Sequence, residues 1–361
     1  MTTVEGLDCT VMPTTGGEIA IINLESARRR SWSKFFENPT RDEAAETVIE
    51  HEQLTLQLVG DVFALDRVDL LLAQLVQCNA ASARAMLIRA QAASMAHRFS
   101  EAREYLVQAE IGGAPTADVD RLRLNIDQAC GSRLDSLLDA RRRVANENHA
   151  LEDLVALGSL LADLRDFAAA DRVYKEALRA YQDVSPFPVA RIWFLLGVLW
   201  GELAREPDFY AATQCYRRAI AVLPMYTKAR VHLAEIYASA RSLDEAEALL
   251  RPIVTIGDPE VDWRLADILA AQRKFEESET RMNAARSGFD SLLERHLLAF
   301  ADHGAEFYAG SGNDWRRALQ LAQINADNRP TLRALEQVRN IATSARNMAA
   351  ALQLPSAAAT R

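Results

Sequence analysis

Four polar residues in the C-terminal third have the types and the spacing that could bind a metal ion. His296 and His303 are seven residues apart, which puts both on one face of a helix, and Asp302 and Glu306 accompany them. Two imidazoles and one carboxylate form a known kind of metal site. The alternative is that this long helix packs some of these side chains against neighbours and exposes the rest. We favour that alternative, and we predict no metal and no cofactor.

The sequence offers no other catalytic constellation. It has no glycine-rich phosphate loop, no nucleophile elbow and no paired-histidine zinc motif, and His51-Glu52 lacks a second histidine four residues on. Cys9, Cys78, Cys130 and Cys215 are too far apart for zinc or redox spacing, so reduced thiols are expected. We therefore predict no catalytic residues and no enzymatic activity. Two alternatives stay open: an accessory subunit or partner of a biosynthetic or modifying enzyme, and an enzyme with a site near His303.

Composition narrows the class of protein. The net charge of −9 argues against a nucleic-acid-binding face. No basic segment followed by an apolar core marks a signal peptide, and no apolar run of about 18 residues indicates a membrane span. We expect a cytoplasmic protein. Only four of the 41 basic residues are lysine, a bias typical of GC-rich bacterial genomes. Abundant alanine and leucine with few glycines and prolines favour an all-α fold.

A repeated pattern explains where the helices lie. An aromatic residue or leucine is followed by a small residue three positions on and by residues four and seven further on that share its face, which suits a second helix packed closely on a first. Six segments carry it: Phe99/Ala102/Leu106/Ala109, Phe167/Ala170/Tyr174/Ala177, Phe209/Ala212/Tyr216/Ala219, Leu243/Ala246/Leu250/Ile253, Phe275/Ser278/Met282/Ala285 and Trp315/Ala318/Ala322/Asn325. The step from Ala212 to Ala246 is 34 residues, and the same step predicts degenerate units near Val68 and Ser136.

Departures from this step predict irregularities. Eight extra residues between Ala170 and Ala212 should bend or bulge the stack, and Pro252 should kink or shorten its helix. The longer gap from Ser278 to Ala318 fits a lengthened helix plus the loop at 310–313. Residues 300–313 are dense in polar and aromatic side chains, and either close a pocket or extend a helix over the insertion.

The best-preserved stretch, residues 154–224, carries Leu157-Gly158 and Leu161, then Trp193, Leu196-Gly197 and Trp200, each set ahead of one of the patterned second helices. This arrangement resembles the tetratricopeptide repeat. The resemblance implies an all-α, right-handed superhelical solenoid of about seven or eight antiparallel helix pairs with a C-terminal capping helix. It implies a protein- or peptide-binding scaffold. We expect residues 40–352 to form the solenoid and residues 353–361 a frayed tail.

Members of this family usually bind partners in a groove lined by the first helix of each unit. Carried over by position, the groove residues are Arg191, Phe194, Val198, Lys228, Val231, Glu235, Trp263 and Asp267. Arg191 and Lys228 would hold an acidic group, Glu235 and Asp267 would face a basic one, and Phe194 and Trp263 would be apolar anchors. We expect a protein or peptide partner, no nucleic acid and no membrane, and a homodimer is left open.

Residues 1–39 do not fit the repeat. Pro13, Gly16 and Gly17 indicate loop, and Glu18 to Leu24 indicates a short strand or a docking peptide. Beyond them, Arg28, Arg29, Arg30 and Lys34 cluster beside Trp32, Phe35 and Phe36. We expect an irregular N-terminal arm that either grips a partner or folds back on the solenoid. Thr40 and Glu43, and likewise Ser242 and Glu245, have capping-box spacing and should begin helices.

Overall fold

A computed structural model describes residues 13–78 and 81–353, and for residue 148 and residues 347–353 the backbone alone. The described part of the chain has 18 α-helices and no strand. They are α1 (Gly17–Glu37), α2 (Asp42–Leu54), α3 (Ala64–Gln77), α4 (Ala83–Met95), α5 (Phe99–Ile111), α6 (Thr116–Ala129), α7 (Leu134–Asn148), α8 (Leu151–Asp163), α9 (Phe167–Ala180), α10 (Pro186–Val198), α11 (Phe209–Val222), α12 (Thr227–Ser239), α13 (Leu243–Leu250), α14 (Pro259–Ala271), α15 (Phe275–Arg295), α16 (Leu297–Ala309), α17 (Trp315–Asn328) and α18 (Leu332–Gln353).

Consecutive helices pack on one another along the chain, and the dominant pairs are α4/α5, α8/α9, α10/α11, α12/α13, α14/α15 and α16/α17. Helices also form at the degenerate units expected near Val68 and Ser136, but there α2 packs mainly on α1, and α7 packs mainly on α8. The all-α solenoid of helix pairs is therefore confirmed, as is the terminal helix. Its unit-by-unit construction leaves several separate core clusters along the chain.

Small residues let the two helices of a pair approach closely, as predicted. Ala170 and Ala212 have no exposed surface. A Cβ atom added to Gly158 of α8 would lie 2.6 Å from the ring of Tyr174 on α9. That ring is 1% exposed and its hydroxyl is 3.0 Å from that of Ser159, so it has no room to move aside. Glycine is required at this crossing because any side chain would push the helices apart.

The N-terminal expectation is wrong about secondary structure. Residues 17–37 form α1, where a loop and a short strand or docking peptide were expected. Ala20, Leu24, Ser31 and Phe35 are its buried residues, and their helical spacing gives one apolar stripe that packs on α2. The described part of the arm is thus mainly a regular helix that packs on α2, the first helix after residue 40. Residues 1–12 lie outside the described part.

Glu52 anchors that helix. Its side chain is fully buried and accepts a hydrogen bond from the Trp32 indole at 2.7 Å. Arg28 of α1 lies 3.3 Å from one carboxylate oxygen, and Arg67 of α3 lies 2.7 Å from the other. Arg28 and Trp32 of the arm therefore serve an internal contact among α1, α2 and α3.

Aspartates cap several helices. Asp166, Asp208 and Asp314 each accept a backbone N–H at the start of a second helix, and Asp258 does so for α14. The predicted capping boxes are wrong: Thr40 bonds to Asn38 instead, and Ser242 caps α13 without a side-chain hydrogen bond. The sequence signal that was missed is an aspartate directly before an aromatic residue.

The irregularities fall where the spacing placed them. α10 continues into a π-helical turn at Leu199–Leu203, in which the Ala204 N–H donates to the Leu199 carbonyl at 2.9 Å. This turn takes up part of the extra length between Ala170 and Ala212. α13 has only eight residues and passes into a 3₁₀ turn that contains Pro252. α15 has 21 residues, as the second long gap required.

One stretch, Pro186–Leu203, is long and apolar enough to cross a membrane by length and composition alone. Half of it is buried inside the protein, where Ile192, Trp193 and Leu196 belong to a core cluster. Packing within the solenoid accounts for its apolar composition.

The solenoid closes on itself along a line that we call the seam. Contacts join Thr15 with Val184, Val59 with Thr227, Asp66 with Arg295 and His296, His97 with Leu298, Gly131 with Thr331, and Arg165 with Glu336. Both sides of the seam advance in the same direction along the chain. One superhelical turn therefore lies edge to edge against the next.

Candidate functional site

The first helices of four consecutive pairs place charged side chains on a common surface, which we call the inner wall. α12 contributes Lys228, His232 and Glu235, α14 contributes Glu260, Arg264 and Asp267, and α16 contributes His303 and Glu306; α10 adds Arg191, Phe194 and Val198, and the π-helical turn after it adds Glu202. Ion contacts from unit to unit show that part of this set shares one surface, namely Glu202, His232, Glu235, Glu260, Arg264, His303 and Glu306.

Arg264 is the centre of the network. Its guanidinium lies 2.6 Å from Glu235 of α12, 3.4 Å from Glu260 of its own helix and 3.0 Å from Glu306 of α16. It also lies 3.6 Å from the centroid of the neighbouring Trp263 ring. Arg264 thus joins three successive units, and its side chain is only 16% exposed. Arginine suits this position because its planar guanidinium serves several carboxylates at once.

The π-helical turn positions the next member, Glu202. Its Oε1 lies 2.6 Å from Nδ1 of His232 and accepts a hydrogen bond from the Tyr216 hydroxyl at 3.0 Å. Arg333 of α18 lies 3.8 Å from its other oxygen. The extra residues after α10 therefore place the Glu202 carboxylate on the inner wall, in addition to lengthening this unit of the stack. Sequence reasoning missed Glu202, and the eight-residue excess was the signal that could have found it.

Burial and neighbouring charges shift the pKa values of two residues of the wall. Burial raises the pKa of Glu235 to about 7, and the nearby Arg264 and His232 offset this only partly. Burial opposes the charged form of His232, but the hydrogen bond and the charge of Glu202 outweigh it and raise the His232 pKa. Yet Glu235 and His232 keep 32% and 23% of their side-chain surface exposed.

His303 lies at the far end of the wall. The charge of Asp302 raises its pKa to about 9; burial opposes this shift, and a hydrogen bond with Glu260 adds to it. Nδ1 of His303 lies 3.5 Å from Glu260, and Asp302 pairs with Arg329, the residue that ends α17 of the same pair. His303 is therefore a cation at neutral pH, held by carboxylates on its own and the preceding pair.

The four residues that were considered as a metal site do not come together around one point. His296 has a side chain that is 2% exposed and turns to α3, where its Nε2 lies 2.8 Å from Asp66. Glu306 pairs with Arg264, and Asp302 pairs with Arg329. In the described part of the chain no group of three or more histidine, cysteine or acidic residues could hold a metal ion.

Two of the predicted groove residues are wrong. Val231 and Trp263 are 2% and 3% exposed and belong to core clusters, so neither is available to a partner. The residue after each of them, His232 and Arg264, reaches the wall instead. Along each of these two helices the predicted wall residues were separated by three and then four positions. The observed wall residues are separated by four and then three. A shift of one residue turns a side chain by about 100° around the helix axis.

The other predicted groove residues lie on or beside the wall. Arg191 and Lys228 are exposed, while Phe194 and Val198 are partly buried. The Phe194 ring lies 5.2 Å from that of Tyr226 and 5.3 Å from that of His232. Glu235 and Asp267 are already engaged: Glu235 pairs with Arg264, and Asp267 accepts a hydrogen bond from Ser311 at 2.7 Å.

The loop that contains Ser311 docks on α14. The Trp263 indole donates to the Ser311 hydroxyl at 3.0 Å, and that hydroxyl in turn donates to Asp267. Phe307 of α16 packs beside it, with its ring stacked on Phe289 at 4.7 Å. Residues 300–313 therefore form α16 and a loop that covers one end of α14.

Comparisons with known proteins add little to this geometry. No protein-family profile and no curated protein matches the chain. Among solved structures, "Crystal structure of APC/C hetero-tetramer Cut9-Hcn1" is similar over 78% of this chain with a TM-score of 0.49 and 15% sequence identity. The match covers 54% of that chain, so this protein corresponds to about half of it. The assignment to an α-solenoid rests on the helix pairing described above.

Proposed function

We propose that this protein is a scaffold that binds an acidic segment of another protein or peptide on its inner wall and catalyses no reaction of its own. The observation that supports this most directly is the state of Arg191 and Lys228. Both are exposed, and within the described residues neither has an ion-pair partner, whereas the neighbouring wall charges are paired. Two unpaired cations on a concave surface favour an anionic ligand.

The contacts already made by the wall charges support one kind of partner over another. Glu235 and Asp267 were expected to face a basic group of the partner. Since Arg264 and Ser311 already occupy them, a basic side chain would have to displace an internal contact. A carboxylate placed near Arg191 and Lys228 displaces none. Charge recognition therefore favours an acidic segment over a basic one.

Phe194 supplies the apolar part of the same surface. It lies one turn after Arg191 on α10, and its ring contacts Tyr226, which begins α12 two residues before Lys228. The aromatic ring thus lies on the surface where α10 meets α12, the two helices that carry the cations. A large aromatic side chain with one accessible face is a usual anchor at protein interfaces.

The experiment is a binding comparison. The wild-type protein is used to capture a partner from cell extract, and the purified partner is then titrated calorimetrically against wild type and against Arg191→Ala/Lys228→Ala. Hydrogen bonds to charged groups contribute about 1.5–3 kcal/mol each, so the double variant should bind at least roughly tenfold more weakly.

The matched control is Arg172→Ala/Arg316→Ala, which removes two exposed arginines from the second helices α9 and α17. It changes the net charge equally and should leave the affinity within about twofold. Equal affinities for the wild type and the Arg191/Lys228 variant would show that the partner binds elsewhere. Equal losses in both variants would show that only the overall charge matters.

A further inference from the structure

The seam differs from the packing inside the units. In a solenoid each unit normally contacts only its neighbours, so the stack can flex along its length. Here residues about 200 positions apart meet at successive points, and they tie one turn to the next. Three core clusters are each built from helices on one side of the seam, so the seam contacts lie outside them.

The seam has an apolar end and a polar end. At the apolar end, Leu58 belongs to the core cluster that contains Leu223 and Ala229, and Ile21 and Leu54 pack against it. From Asp66 onward the core clusters stay on one side each: one spans Ala90 to Cys130, and another spans Trp263 to Ile341. Hydrophobic burial therefore fastens only the first part of the seam.

Polar groups hold the remainder. Asp66 pairs with Arg295 and lies 2.8 Å from Nε2 of His296. Nδ1 of His97 lies 3.2 Å from the Leu298 carbonyl oxygen, and the Asn328 amide donates to the His97 carbonyl at 3.0 Å.

Beyond His97, the last cross-seam ion pair joins Arg165 to Glu336 at 2.6 Å. The side chains of Asp66, Arg295, Arg165 and Glu336 are 33–54% exposed. Exposed pairs contribute about 0–1 kcal/mol each and are weakened by salt.

From this asymmetry we infer that the seam is a latch with a hinge: the polar part from Asp66 to Glu336 opens while the apolar part around Leu58 stays packed. Opening breaks the exposed Asp66–Arg295 and Arg165–Glu336 pairs and the more buried contacts of His296 and His97, and it leaves the core clusters on each side of the seam intact. A hinge with a weakly held opposite edge is a common basis of domain opening. The opened form gives sideways access to the inner wall between the turns.

The test uses charge reversal and solution scattering without any partner, so its outcome is independent of the proposed function. The variant Asp66→Arg/Glu336→Arg places like charges across the seam at both ends of its polar part. The matched control Asp120→Arg/Glu277→Arg reverses two exposed carboxylates whose partners, Arg123 and Arg251, lie on the same side of the seam. Both variants change the net charge equally.

We expect the radius of gyration of the seam variant to rise by roughly 2 Å, against about 21 Å for a compact chain of this length. Its helical circular dichroism should stay at the wild-type level, and the control should match the wild type in both measurements. Raising the salt from 0.05 to 0.5 M NaCl should expand the wild type in the same direction.

Two results would overturn the latch. One is a seam variant as compact as the control with full helix content. The other is an expansion accompanied by loss of helix, which would mean that the seam is part of the folding core. If the double reversal does not fold, Asp66→Asn/Glu336→Gln, measured across the same salt range, replaces it. An unchanged radius for that variant at every salt concentration contradicts the proposal equally.

Discussion

Replacing Glu52 with glutamine tests whether the N-terminal helix is fastened by one buried carboxylate. The change keeps the size and one acceptor for the Trp32 indole, but it removes the charge that faces Arg28 and Arg67. Removing one member of a buried ion pair usually costs about 3–5 kcal/mol because the other charge is left uncompensated.

The cost at Glu52 should be smaller. Arg28 keeps Glu25 at 2.8 Å, and Arg67 keeps Asp61 at 2.8 Å. Both guanidinium groups are also partly exposed, at 16% and 25% of their side-chain surface. We therefore expect Glu52→Gln to destabilise the α1–α3 region by about 2 kcal/mol.

Hydrogen exchange is the right assay because a repeat protein can open locally without global unfolding. A loss of 2 kcal/mol corresponds to a roughly 30-fold drop in amide protection, which should be confined to α1, α2 and α3. The control Glu37→Gln removes an exposed carboxylate of the same helix and should change protection by less than about twofold. Equal protection in the two variants would refute the role given to Glu52. A uniform loss of amide protection across all helices would show that Glu52 stabilises the whole solenoid and not only α1, α2 and α3.

Two further predictions concern the stack and its inner wall. Asp208→Ala removes the hydrogen bond to the Ala211 N–H at the start of α11 and should cost about 1 kcal/mol in urea unfolding, while Glu206→Ala, outside the helix, should cost little. Glu235 has a folded-state pKa of about 7, above its ordinary value of 4.5, so the folded protein binds the extra proton at intermediate pH. Stability should therefore fall as pH rises from 4.5 to 7, and Glu235→Gln should flatten that part of the curve. Urea midpoints measured across this range check it, and an unchanged slope in Glu235→Gln would contradict the assignment.

Much of the fold could be predicted from the local periodicity of the sequence. The small residue of each second helix and Gly158 of the first helix could be identified from the sequence. Each of them packs against the neighbouring helix of its own pair, so its position follows from spacing within a short stretch of chain. The length excess after Ala170 and the position of Pro252 likewise located the π-helical turn and the shortened α13. These features depend on spacing within one or two units, and spacing is visible in a single sequence.

The inner wall was predicted only in part. The position of each residue within its repeat unit was enough to predict Arg191 and Lys228, and to predict that the first helices of the units line the wall. It failed by one residue at Val231 and Trp263, because the choice between adjacent positions depends on how each first helix rotates against its partner. α1 was missed because its stripe of Ala20, Leu24, Ser31 and Phe35 is interrupted by exposed Ile19 and Ile22, which imitate a short strand.

The sequence by itself determined the repeating unit and the places where the regular step is broken, since helix formation and pairwise packing are governed by residues close in the chain. Only the tertiary structure decided which charges are already paired, how Glu202 and Arg264 link successive units, and that Asp66 meets His296. Those contacts depend on the small rotation from each unit to the next. That rotation accumulates over many units, so no single stretch of sequence specifies where one turn meets another.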